Sequence, residues 1–69
     1  MELTERVYEA VMQLVGVSIS HELFENDQGK KFTKFNINSG GSVHQFVAPY
    51  PSLDEDYNNT FVKKVMKEI

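Results

Sequence analysis

The run Lys30-Lys31-Phe32-Thr33-Lys34-Phe35-Asn36-Ile37, then Asn38-Ser39-Gly40-Gly41, then Ser42-Val43-His44-Gln45-Phe46-Val47-Ala48, decides the fold of this chain. Asparagine and glycine accept the positive φ values that tight hairpins demand, so residues 38–41 read as a turn between two strands. In the first strand Thr33, Phe35 and Ile37 share one face and Phe32, Lys34 and Asn36 the other, so its two aromatics point opposite ways. Pro49-Tyr50-Pro51 ends the second, because proline has no N–H for a ladder and biases the residue before it away from helix.

Toward the N-terminus, Val17, Ile19 and Leu23 alternate with Ser18, Ser20 and Glu22, which predicts a strand to about Phe24 with His21 on the aliphatic side. Glu25-Asn26-Asp27-Gln28-Gly29 is its hairpin turn. Before it, Leu3, Val7, Ala10, Val11 and Leu14 fall on one helical face, widened by Tyr8, Met12 and Val15, and Gly16 stops the helix. Toward the C-terminus, Ser52 and Glu55 form an S-x-x-E capping box ahead of an apolar stripe of Leu53, Tyr57, Phe61, Val62, Val65, Met66 and Ile69. Asn58 and Asn59 are poor helix formers, so the regular helix is expected only from near Thr60. The resulting fold class is a small single α+β domain over residues 1–69: helix, three-stranded antiparallel meander, helix (αβββα), with both helices on one sheet face. Phe24, Phe32 and Phe46 lie on both sides of their strands, so the alternation leaves open which face that is. The other face meets solvent or a partner.

At 69 residues the core is thin, since a domain of this size buries only about 60% of the surface its unfolded chain exposes. No cysteine is present, which excludes disulfides and thiolate zinc sites and points to the cytoplasm. Apolar runs are short and Met1-Glu2-Leu3-Thr4-Glu5 is acidic, so neither export nor a membrane span is expected. The formal charge of −3 disfavours a generic polyanion binder.

His21 and His44 are the groups that ordinarily titrate near neutral pH, but no H-x-x-H or H-E-x-x-H spacing accompanies them. Gly41-Ser42 is not the nucleophile elbow G-x-S-x-G, and Gly40-Gly41 satisfies neither G-x-G-x-x-G nor the P-loop. No catalytic residue, metal ligand or cofactor is therefore expected.

Two surfaces are candidates. Tyr50, Leu53, Asp54, Glu55, Asp56 and Tyr57 combine acids with aromatic anchors on a proline-stiffened loop, material suited to binding a protein. The same residues read equally as a capped helix start covering the core. Lys30, Lys31, Phe32 and Lys34, with Phe35 and His44 nearby, have the composition of a single-stranded nucleic-acid platform, or of lysines that keep an exposed strand from pairing.

The helix, three strands, helix order resembles double-stranded RNA-binding domains and the HicA-type mRNA interferases over the whole chain. Such RNA readers place lysines at the start of the second helix, where this chain has Asp54-Glu55-Asp56. The interferase comparison rests on Gly41-Ser42-Val43-His44-Gln45-Phe46, which carries an extra Val43. The leading expectation is a non-enzymatic accessory or regulatory module that binds another macromolecule, foremost a protein. The alternatives are a nucleic-acid binder or HicA-like ribonuclease using His44, and a homodimer formed through a sheet edge.

Overall fold

The computed structural model covers Met1–Ile69 and contains helix α1 (Leu3–Val11), strands β1 (Val17–Glu25), β2 (Lys31–Ser39) and β3 (Ser42–Pro49), and helix α2 (Glu55–Glu68). The strands form one antiparallel sheet in the order β1-β2-β3. Ile19 lies opposite Ile37 and Leu23 opposite Thr33 across the first pair, and Phe35 opposite Phe46 across the second.

Both helices cover the face that carries Thr33, Phe35 and Ile37, all buried, together with Phe46 and Ala48 of β3. Leu3, Val7 and Val11 of α1 and Phe61 and Val65 of α2 complete the core. Tyr8 meets the His21 ring edge-on, which sets α1 above β1, while Phe61 packs on Phe35 and Phe46, which sets α2 above β2 and β3. The opposite face presents Ser18, Ser20, Glu22 and Phe24 from β1, Phe32, Lys34, Asn36 and Asn38 from β2, and Val43, Gln45 and Val47 from β3. Glycines with positive φ stand where the chain reverses at Gly40-Gly41 (φ 59 and 86).

Strand β2 runs on through Asn38 and Ser39, which pair with Val43 and Ser42, so the turn expected over residues 38–41 is Gly40-Gly41 alone. Three helix boundaries differ as well. Helix α1 ends at Val11 rather than running to Gly16: the N–H of Leu14 turns back to the Val11 carbonyl, leaving Leu14 and Val15 exposed. Asp54, not Ser52, caps α2, its carboxylate accepting the Tyr57 N–H at 3.1 Å. The helix is regular from Glu55 through both asparagines, because Asn58 is fully buried and used as a tie. Its side chain accepts the Ser52 hydroxyl at 2.7 Å and donates to the Ser52 carbonyl at 2.9 Å. Tertiary hydrogen bonds outweigh the few tenths of a kcal/mol of helix propensity that asparagine forfeits.

Peptide direction in the ladder follows from two bonds. The Asn26 N–H donates to the Lys30 carbonyl at 2.9 Å and the Tyr50 N–H to the Lys31 carbonyl at 3.0 Å. Because bonded and non-bonded pairs alternate in antiparallel sheets, the even-numbered residues of β1 bond to β2. Val17, Ile19, His21, Leu23 and Glu25 therefore turn their N–H and C=O groups outward, as Val43, Gln45 and Val47 do on β3, while Pro49 turns out a carbonyl alone.

Candidate functional site

The connection between β3 and α2 is fixed at several points. Ser52 is buried, its N–H donates to Glu2 Oε2 at 2.8 Å, and its carbonyl accepts the Leu3 N–H at 3.0 Å. Glu2 also caps α1 by accepting the Thr4 N–H at 2.8 Å. Burial alone would raise the Glu2 carboxyl, but the hydrogen bonds from Thr4 and the Ser52 backbone outweigh it and hold the group below the ordinary glutamate range.

These ties divide the acidic, tyrosine-bearing segment. Asp54 is occupied as a cap, and Glu55 receives Arg6 Nη1 at 3.1 Å, while the other Arg6 amine donates to Asn59. Leu53 is 64% exposed and Tyr57 41% exposed, the latter stacked on Phe61. Tyr50 is half-buried and reaches back to the strand ends. There, together with Leu23, Phe24, Glu25 and Lys31, it lines a shallow cleft of ≈ 320 Å³ at the β1–β2 turn. A second hollow of ≈ 320 Å³ lies on the open face over Ser18, Ser20, Asn36, Asn38 and Val43, and touches Ile19 between the two serines. Equal volumes leave the lining to distinguish them: the first has an aromatic and aliphatic wall with one charge of each sign, the second is mostly hydroxyls and amides.

The sheet separates the residues of the basic and aromatic cluster. Phe32 and Lys34 share the open face, where Phe32 stacks on Phe24 with ring centroids 5.4 Å apart. Lys31 points to the other side with Glu25, and His44 lies opposite Ile37 on the helix-covered side, away from Lys34. A ribonuclease site using His44 with Lys34 would need both on one face. Lys31 and Lys34 also stand on β2, the central strand, so Lys34 does not shield a sheet edge, and Lys30 lies in the turn before it.

The Tyr8 hydroxyl and His21 Nδ1 share a hydrogen bond of 2.6 Å, whose direction is set by the imidazole tautomer. Burial pushes the Tyr8 phenol up. No three His, Asp or Glu side chains converge as metal ligands. No helix is long and apolar enough to cross a membrane.

Leu23 and Phe24 were not among the residues singled out in sequence. The missed signal is positional: both stand at the end of β1, beyond Val17 and Ile19, which pack against the core, and His21, which meets Tyr8. No family model matches the chain, and no curated protein or solved structure is significantly similar to it.

Proposed function

We propose that this chain is a non-enzymatic binding module that engages another protein through Leu53 and Tyr57 at the start of α2, and through Tyr50 on the connection leading to it. The observation that carries this reading is an exposed leucine and an exposed tyrosine on a connection held by Ser52, Asn58 and Glu2. A contact surface already ordered loses little conformational freedom on binding, and tyrosine brings large area with few rotatable bonds. Asp56, which has no ion-pair partner, and the capping Asp54 give the surface a negative field that suits a basic partner, Glu55 being neutralised by Arg6 and the Met1 amino group.

The test is affinity capture from a native lysate with the unmodified chain and with a Leu53→Ser, Tyr57→Ser double variant. A stoichiometric protein that survives nuclease treatment and is lost with the double variant, at unchanged circular dichroism, supports the reading. Capture that survives both substitutions, or vanishes on nuclease treatment, overturns it.

A second reading has its own observation, the Phe24–Phe32 stack on the open face next to Lys34. Stacked aromatics beside amides and a cation suit single-stranded nucleic acid. It ranks lower because Glu22 lies directly opposite Lys34 and the chain is acidic overall. Oligonucleotide binding that falls with salt and with Phe32→Ala would favour it.

A further inference from the structure

The two edges of the sheet are unlike. On β3 the outward row ends at Pro49, which has no N–H to offer, and Tyr50 bends back to Lys31. On β1 the outward row of Val17, Ile19, His21, Leu23 and Glu25 is uninterrupted over a nine-residue strand. This strand holds no proline, no lysine and no bulge, the devices that ordinarily keep an edge from pairing, and its register with β2 is regular throughout.

An aliphatic residue flanks His21 on each side along β1. Ile19 and Leu23 stand two residues to either side on the helix-facing side, the first partly covered by the core and the second 56% exposed. We infer that the chain forms a two-fold dimer in which β1 pairs antiparallel with β1 of a second copy about an axis at His21, making one six-stranded sheet. An axis normal to the sheet keeps the helices of both copies on one side, and the odd-numbered residues, whose peptide groups point outward, then meet one another as bonded pairs.

In that register Leu23 of each copy lies opposite Ile19 of the other, so the exposed leucine gains an aliphatic neighbour twice over. Glu22 faces Ser20 and Glu25 faces Val17 of the other copy, so no two acids are opposed. Parallel in-register stacking would set Glu22 and Glu25 against their own copies, and this repulsion disfavours an open filament. The full nine-residue overlap also brings Val15, wholly exposed beside the start of β1, level with the β1–β2 turn of the other copy. The dimer goes beyond the binding reading above and does not use Leu53 or Tyr57.

The test is made on the pure chain with no other protein present. Sedimentation equilibrium at tens to hundreds of micromolar is expected to give twice the 7.9 kDa chain mass. Leu23→Lys is expected to weaken association at least tenfold, whereas Val47→Lys, at a position 52% exposed on the other edge, leaves it unchanged. Amide exchange in the unmodified protein supplies a readout that needs no variant. The amides of Ile19, His21 and Leu23 should be protected in the dimer and should exchange at least tenfold faster on dilution to monomer, while those of Ser20 and Glu22 stay protected in both. A monomer throughout this range overturns the inference. So does a dimer in which the odd-numbered amides of β1 exchange freely, or one that Val47→Lys dissociates as readily as Leu23→Lys.

Discussion

The two faces of β2 belong to one strand and do different work. Thr33, Phe35 and Ile37 are buried under two helices, whereas Phe32, Lys34 and Asn36, interleaved with them, are only partly covered by their neighbours in the sheet. Stability is concentrated on one face, and the other is left available for contacts that the fold itself does not require. In so small a domain the division is strict, because there is not enough apolar surface to build a second core.

The largest effect should come from truncating one aromatic on each face. Phe35→Ala should remove about 3–5 kcal/mol, a third or more of the roughly 3–10 kcal/mol available to a chain of this length. Phe32→Ala should lose only about 1 kcal/mol, the scale of a single aromatic pair. Urea unfolding measures both, and equal losses would break the distinction between the faces.

The covered face is not uniformly satisfied, which sharpens the comparison. The Thr33 hydroxyl is buried without a hydrogen-bond partner, between Leu23 and Ala48. Thr33→Val keeps the shape and the strand preference while removing that group, so it should stabilise by about 1 kcal/mol, read as a higher urea midpoint at unchanged slope. A loss of stability would mean that the hydroxyl is served by a water.

The smallest effect concerns Glu2, where the helices begin. Its carboxyl is held below the ordinary range, so the charged form is favoured in the folded state. That contribution is present above the unfolded pKa and disappears as pH falls through the lower folded value. Glu2→Gln should reduce stability by less than about 1 kcal/mol at neutral pH. It should also flatten the acid limb of the stability profile, and an acid limb identical to that of the parent would remove Glu2 from the account.

Much of the architecture was legible because periodicity is a local signal. The alternation in β2 and the turn signals at Asn26–Gly29 and Gly40-Gly41 order the three strands, and the i, i+4, i+8 spacing of Leu3, Val7 and Val11 marks the buried stripe of α1. What escaped depended on distant partners. The tie from Asn58 to Ser52 needs the folded loop, so propensity alone argued against a helix that in fact runs through it. Ser52 and Asp54 are both chemically suited to cap a helix, and the choice falls to the one not consumed elsewhere. At the candidate site, Lys31, Phe32 and Lys34 are neighbours in sequence, yet the pleat divides them between faces, and Phe24 joins Phe32 only through the register of the first hairpin.

The bonds from Ser52 to Glu2 and from Ser52 to Leu3 join residues about fifty positions apart, whereas both hairpins close over a few. Closing a long loop costs entropy that short turns do not, and chains rich in distant contacts fold more slowly. The order of assembly follows: the meander forms early from local pairings, and the docking of α1 beside α2 waits on one closure spanning most of the chain. Residues at that closure should therefore govern how fast the protein unfolds more than how fast it folds.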